Sequence, residues 1–354
     1  MSYKSLDPQD FLVSADSITA PCWTNYVNPI LSLYTSSVQI AGTSGNYYLN
    51  VYNTNPSTDS SAEIQFNIAY GNAKGSGSLL YDAGINGLSP TRTVYGQFRN
   101  LIYGDENTQF SFSTITPSQQ DFYTITIDRA RFKESLLPGT LTLTLYSASQ
   151  QISLTDDSLT TSTVSYCDAG RVFNIISGSA GVATTRNALG AINTGMTISG
   201  SYGLFLPDIG TIILNAPALD LPFASGGIAL NTKRNSNTND SNPLRLFTTS
   251  SGTIGLATGS ITSSFSLNSN ETVTSDFVFC RARNAEFNYT ENPSFISGST
   301  GAVLYDLFIN SPTTYITTVG MYNDSNELLA VAKLSKPLKK DFTKEALIRV
   351  KLDF

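Results

Sequence analysis

The sequence has no histidine among its 354 residues. Histidine is the commonest general base in enzymes and the commonest metal ligand, so its absence removes the Ser–His and Cys–His nucleophile arrangements. The nucleophile elbow, the Walker phosphate loop, the zinc-protease motif and the full dinucleotide fingerprint are also missing. We therefore predict a protein that is not an enzyme and that uses no cofactor or metal ion.

Paired carboxylates are the catalytic arrangement that this composition still permits, because glycoside hydrolysis needs only Asp and Glu. The visible acidic pairs are Asp105–Glu106 and Asp156–Asp157. Both pairs stand in polar sequence that is typical of loops, and we assign neither of them a catalytic role.

Charged residues are scarce, at 14% of the chain, and the formal net charge is −6. Proteins that bind nucleic acid carry basic surfaces, so we expect no nucleic-acid partner. The basic residues are concentrated near the C-terminus, beside Asp341 and Glu345. A solvated loop and strand face is the ordinary explanation of such a cluster, and a docking surface for an acidic partner is the alternative. The candidate interface residues of this region are Lys336, Lys339, Lys340, Lys344, Arg349, Lys351 and the terminal Phe354.

Cysteine is also rare: Cys22, Cys167 and Cys280 are odd in number, far apart and without a CxxC pair. They do not make a disulfide framework, so we expect buried or free thiols in a reducing compartment. The N-terminus lacks the basic-then-apolar order of a signal peptide. No window comes near the roughly twenty unbroken apolar residues of a membrane helix. We expect no membrane span and synthesis in a cytoplasm.

Serine, threonine, asparagine and glycine fill much of the chain, together with 18 tyrosines and 19 phenylalanines. Short β-branched and aromatic runs between turn-forming residues are typical of β proteins. The sequence therefore predicts a mostly β protein of two or three β-sandwich or barrel-like domains. One short helix is predicted over residues 89–103. Ser89 can cap it, Pro90 suits its first turn, and apolar residues such as Val94 and Phe98 share one face.

Changes in composition divide the chain into four parts. Residues 1–40 are predicted to form an N-terminal arm, and residues 41–165 a β domain that contains the helix. Residues 166–275 are rich in Gly, Ser and Asn, and we interpret them as a β region that could be an insertion in a split domain. Residues 276–354 are predicted to form a C-terminal β domain.

The only tryptophan, Trp23, lies in the predicted arm. A large aromatic side chain of this kind either packs in the core of its own domain or inserts into a neighbouring subunit. We expect burial in its own domain, and we keep Trp23 as a candidate interface residue for the alternative.

The last forty residues have the clearest β pattern. Residues 315–322 and 327–334 flank the polar turn 323–326, which predicts a hairpin. Pro337 is predicted to interrupt it, and a short basic loop follows. In the closing run 346–354, Ile348, Val350, Leu352 and Phe354 alternate with the charged Arg349, Lys351 and Asp353, which predicts a strand that ends inside a sheet.

Seven stretches carry a resemblance to a known family, among them CRARNAEFNYTENP at 280–293 and YITTVGMYND at 315–324. The other five span residues 69–78, 95–101, 201–210, 328–337 and 347–354. On these motifs the chain resembles virion structural proteins of large contractile-tailed bacteriophages, including cyanophages, which are grouped with tail or baseplate components.

The resemblance implies a non-enzymatic assembly protein of the tail or baseplate, made in the host bacterial cytoplasm and carried on the virion. Its expected partners are copies of itself and other virion structural proteins. The family has no catalytic motif, so no functional residue is carried over to this chain.

Two alternatives stay open. The first is a capsid or neck decoration protein. The second is a tail-fibre-associated protein that binds a host surface or a glycan, in which exposed Tyr, Asn and Asp of residues 166–275 would make the recognition contacts.

Overall fold

A computed structural model describes residues 4–35, 48–75, 91–112, 120–147, 150–184, 202–234, 241–247, 265–289 and 292–353. The chain divides into two compact units. Unit one comprises Met1–Ser17 and Thr272–Phe354, and unit two comprises Ile18–Glu271.

β-Strands dominate the described residues, which confirms the predicted fold class. The strands are β1 Phe11–Pro21, β2 Tyr34–Thr35, β3 Tyr48–Tyr52, β4 Ile64–Asn72, β5 Asp121–Ile127, β6 Ser135–Leu136, β7 Thr142–Ser147, β8 Gln150–Asp156, β9 Ser165–Cys167, β10 Gly170–Ser179, β11 Val182–Ala183, β12 Gly203–Leu206, β13 Thr211–Asn215, β14 Phe265–Ser266, β15 Asn268–Ala282, β16 Thr314–Tyr322, β17 Leu328–Lys340 and β18 Ala346–Asp353.

The helices are α1 Thr91–Tyr103, α2 Ala216–Asp220, α3 Asn242–Phe247 and α4 Asp306–Asn310. α1 is the predicted helix, although its predicted cap at Ser89 and Pro90 lies outside the described residues. The prediction missed the other three, since a helix of five or six residues has too few turns to show a helical period.

Unit two is built on one large, curled antiparallel sheet. Its strand order is β14-β7-β8-β10-β12-β13-β5-β4-β3-β2, and β9 and β11 pair with β10. Ile30 pairs with Phe265 of β14, whereas Tyr34 and Thr35 pair with β3. A short segment of chain thus reaches both ends of the sheet, and it covers backbone groups that an open edge would expose.

The predicted boundary between residues 165 and 166 lies within this sheet, since strands from both sides of it belong to one strand order. β8 pairs with β10, and β12 and β13 complete the path from β10 to β5. Every residue of β12 and β13 is buried. Strands that are covered on both faces are typically apolar, and β12 and β13 carry no charged residue.

The predicted arm at residues 1–40 is divided between the two units. From Ile18 onward its residues belong to unit two, where the backbone amide of Cys22 donates to the Leu267 carbonyl (3.1 Å). The preceding residues, up to Ser17, belong to unit one.

Two clusters of buried side chains cover the sheet of unit two. The alternation along β5 separates them, because Tyr123 and Ile125 belong to the larger cluster and Phe122 belongs to the smaller one. In the smaller cluster, Tyr95 of α1 stacks on Phe122 with ring centroids 5.3 Å apart. The apolar face predicted for this helix therefore packs on the sheet.

A second sheet has the order β1-β15-β18, and β6 also pairs with β15; β16 and β17 form a separate two-stranded sheet. β15 and β18 pair antiparallel from Ser275–Asp353 to Ala282–Ala346. The predicted terminal strand is thus present, while Phe354 itself lies outside the described residues.

The hairpin is longer than predicted, because β17 continues through Pro337 to Lys340 instead of giving way to a loop. The register jumps between the pairs Ile316–Leu338 and Thr318–Lys333. Pro337 falls in this irregular stretch, where its missing N–H interrupts no regular ladder bond.

Candidate interaction surface

Unit one buries few apolar side chains. Among its described residues the buried apolar side chains are those of Val278, Ala282, Ala346 and Val350. Both clusters of buried apolar residues consist of residues from unit two. Burial of apolar surface is the main favourable term in folding, so unit one receives little of the stabilisation that holds unit two together.

Most of the exposed large apolar side chains in the described part of the chain belong to unit one. They are Phe11, Leu12, Val13, Tyr289, Phe295, Leu304, Tyr305, Leu307, Ile309, Tyr315, Tyr322, Leu328, Leu329, Val331, Phe342 and Leu347. Single exposed apolar residues are normal, but a concentration of them marks an interaction surface.

The hairpin has one half-buried face and one open face. Ile316–Leu338 and Val319–Ala332 are cross-strand pairs on the half-buried face. Tyr315 lies opposite Lys339 on the open face, and its side chain is 61% exposed. The open face therefore combines aromatic and aliphatic side chains with lysines, a mixture that can bury area and form ion pairs against a partner.

The hairpin also has too little structure around it. β16 and β17 form a sheet of only two strands in the described part of the chain, and no residue of β16 is buried. Two-stranded hairpins are at best marginally stable in water and need further strands or a packed face. A neighbouring molecule that adds a strand or covers the open face would supply both.

Most of the basic side chains named as candidate interface residues are exposed. The side chains of Lys336, Lys344 and Arg349 are exposed. Lys339 and Lys351 are exposed too, and each pairs with a carboxylate two residues later, Asp341 at 3.7 Å and Asp353 at 3.0 Å.

The carboxylates beside these lysines remain ionised to lower pH than usual. A hydrogen bond from Ser275 Oγ lowers the pKa of Asp353, and the contact with Lys351 has a smaller effect in the same direction. Hydrogen bonds from Thr343 lower the pKa of Asp341. Exposed ion pairs of this kind contribute little to stability and exchange readily for intermolecular pairs.

Lys340 is a correction to the predicted interface, since its side chain is 0% exposed. Its ammonium donates to the Asn284 carbonyl (2.9 Å), to Asn288 Oδ1 (3.0 Å) and to the Asp341 carbonyl (3.2 Å). All three ammonium hydrogens can thus be used inside unit one. Lys340 joins the base of the hairpin to the 284–288 loop, and its buried ammonium is not accessible to a neighbour.

Trp23 is buried in the core of unit two, as the sequence analysis expected. Its indole Nε1 donates to the Phe265 carbonyl at 2.8 Å. Its ring centroid lies 4.7 Å from that of Phe265 and 6.0 Å from that of Phe66. The Trp23 side chain is 2% exposed and its contacts lie within unit two.

The acidic pair Asp156–Asp157 is buried and not in an open loop as its sequence indicated. Asp156 accepts from the backbone amide of Gly139 (2.8 and 3.0 Å), and Asp157 accepts from the backbone amide and the side chain of Asn174 (2.9 Å each). Both carboxylates thus satisfy backbone donors at strand ends.

Sequence reasoning missed a buried polar network in unit two. Arg234 Nε lies 2.9 Å from Asp121 Oδ2, and Arg234 Nη2 lies 2.5 Å from Asp220 Oδ2. Tyr70 also donates to Asp121 (3.1 Å). Burial raises the pKa of Asp121 against the opposing effect of Arg234. The three charged residues are far apart in sequence, so no local pattern could have revealed the network.

The cysteines are free thiols. Burial raises the pKa of Cys22 to about 12, although the nearby charge of Arg131 opposes the shift. A thiol with such a pKa stays protonated and unreactive at neutral pH.

Within the described ranges, no group of three or more Cys, Asp or Glu side chains is placed to hold a metal ion. In the same part of the chain no helix has the length and apolar character to cross a membrane. No family model matches the sequence, and no curated protein or solved structure matches it.

Proposed function

We propose that the protein is a non-enzymatic structural component of a bacteriophage virion, and specifically an assembly protein of the tail or baseplate. One observation carries the assembly role: unit one combines few buried apolar residues with a long hairpin whose open face is apolar and basic. The sequence motifs near the C-terminus supply the virion context.

A permanent partner would resolve the energetic deficit of unit one. Burying apolar surface contributes roughly 25 cal/mol per Å², so covering several side chains the size of Tyr315, Leu329 and Val331 stabilises by several kcal/mol. In a virion each subunit stays in contact with its neighbours, so such a surface is exposed to solvent only until assembly.

The experiment that tests this role is quantitative mass spectrometry of purified virions, combined with an averaged cryo-EM map. We expect the chain at a fixed copy number, with the β16–β17 hairpin covered by a neighbour. Absence from purified particles would refute the proposal. Density at an exposed distal tip, together with binding of the purified protein to host cells, would favour the host-binding alternative.

A matched pair of substitutions distinguishes the loss of a contact at the hairpin from the general effect of making the surface more polar. Tyr315→Ser on the hairpin should lower incorporation into particles by at least about tenfold, since interface aromatics are among the residues whose loss costs most. Tyr166→Ser in unit two is the control, because Tyr166 is 73% exposed against 61% for Tyr315. Equal incorporation of the two variants would argue against the hairpin as an interface.

A further inference from the structure

Strand β1 is a second exposed apolar element. Phe11, Leu12 and Val13 are 52%, 54% and 66% exposed. Consecutive residues of a strand point to opposite faces, so three exposed neighbours show that both faces are open at this point. β1 also ends the strand order β1-β15-β18 in the described part of the chain. An edge strand of this kind is a template for pairing with another chain.

The segment that contains β1 is acidic. Residues 4–21 hold Asp7, Asp10 and Asp16 against Lys4 alone. The ammonium of Lys4 is already engaged, at 2.8 Å from Glu286 Oε2. Asp16 is exposed and lies within β1 itself. The exposed apolar residues of this strand are therefore accompanied by negative charge.

The hairpin and the strand that follows it have the opposite charge. Residues 314–353, which hold these elements, contain seven basic and five acidic residues, whereas the whole chain contains 21 and 27. The rest of the chain thus has 14 basic and 22 acidic residues, so another copy of this chain is itself an acidic partner. Lys333 and Lys336 are exposed on β17.

We propose that copies of this chain associate head to tail, with the β16–β17 hairpin of one copy docked on strand β1 of the next. The inference rests on the assembly role proposed above and names the partner. Each surface has a strand edge and exposed apolar side chains, and their charges are opposite. Strand addition at such edges is a common mode of recognition. Because the two surfaces differ, the contact repeats from copy to copy and builds a ring or a filament.

Charge reversal of the purified full-length chain tests this contact by sedimentation velocity. We expect self-association at low ionic strength that weakens with added salt, because salt screens exposed charge pairs. Lys333→Glu with Lys336→Glu should weaken association about tenfold or more, and so should Asp16→Lys, since like charges then face each other. A chain that carries all three changes should recover association. The controls are Lys133→Glu and Glu106→Lys, two exposed positions of unit two that should have no effect.

Circular dichroism of each variant first establishes that the fold is retained, which is expected because all the substituted side chains are exposed. A monomer at low salt and high concentration would overturn the proposal. The proposal would also be overturned if neither Lys333→Glu with Lys336→Glu nor Asp16→Lys weakened association, or if the chain with all three changes did not recover it. A monomeric chain found at fixed copy number in virions refutes this contact and leaves the structural role standing. Self-association without presence in virions refutes the role alone.

Discussion

Lys339 and Lys340 are adjacent in sequence and have opposite environments. Lys339 is exposed beside Asp341, and Lys340 is buried with three oxygen acceptors around its ammonium. Alternation along β17 puts the two side chains on opposite faces of the hairpin. Their contributions to stability should differ accordingly.

We expect Lys340→Met to destabilise unit one by about 1–3 kcal/mol, because it leaves buried oxygens of Asn284, Asn288 and Asp341 without a donor. Lys339→Met is the matched control and should change stability by less than about 0.5 kcal/mol. Hydrogen exchange of the β16 and β17 amides measures both effects. Equal protection in the two variants would contradict the role assigned to Lys340.

Asp208 is held by a close set of donors from one residue. Arg171 Nε and Nη2 approach Asp208 Oδ1 at 3.0 and 2.5 Å, and the Arg171 amide donates to Oδ2 at 2.7 Å. The approach requires glycine at position 170, where φ is +103° and a Cβ would lie 2.3 Å from Asp208 Oδ2. Burial would raise the pKa of Asp208, but the hydrogen bonds and charge of Arg171 outweigh it and lower the pKa.

A lowered pKa in the folded state means that ionised Asp208 stabilises the fold above its unfolded pKa of about 4. This stability is lost as pH falls from there through the folded pKa. Asp208→Asn should therefore lower the urea midpoint at pH 7 and flatten its decline below pH 4, whereas wild type keeps the steeper decline. If the urea midpoints of the two proteins fell in parallel below pH 4, ionisation of Asp208 would not be coupled to folding.

At the scale of elements, β18 shows how one strand can serve both fold and surface. Val350 is 6% exposed and is one of the few buried apolar residues of unit one, whereas Leu347 on the same strand is 58% exposed. Val350 lies opposite Val278 of β15. Truncating Val350 and truncating Leu347 should therefore have unequal effects on the stability of unit one.

We expect Val350→Ala to destabilise the β15–β18 pair by about 1–3 kcal/mol, through lost burial and the cavity left behind. Leu347→Ala should be close to neutral in the isolated chain. Limited proteolysis within residues 272–353 provides the measurement, with faster cleavage expected for Val350→Ala alone. Equal cleavage rates would mean that β18 adds no core to unit one.

At the scale of the whole molecule, the two units differ in how much apolar surface they bury. Unit two has two clusters of buried side chains around its sheet, and the described part of unit one has few buried apolar residues. Regions with few buried contacts open locally, at a lower free-energy cost than global unfolding.

Amide exchange of the isolated chain should therefore be faster in β16 and β17 than in β5, by several orders of magnitude. In assembled particles the protection of residues 314–340 should rise, because a neighbour then covers the hairpin, while β5 should change little. Mass-spectrometric hydrogen exchange on free and assembled protein makes the comparison. Slow exchange of the hairpin in the free chain would contradict the deficit inferred for unit one.

The sequence by itself determined the local features of this protein. Period-two alternation predicted the β class, the hairpin and the terminal strand, and a helical period with a proline at its start predicted α1. Each of these signals comes from residues that are close in sequence, within a single strand, turn or helix. Such neighbours are fixed by backbone geometry alone, so the pattern suffices.

Only the tertiary structure decided which strands share a sheet and which polar residues are buried. β13 pairs with β5, some ninety residues earlier, and Trp23 donates to a carbonyl 242 residues away. The burial of Lys340 depends in the same way on oxygens supplied by Asn284 and Asn288. Periodicity gives the faces of a strand but not its partners, because partners are chosen by the packing of distant segments.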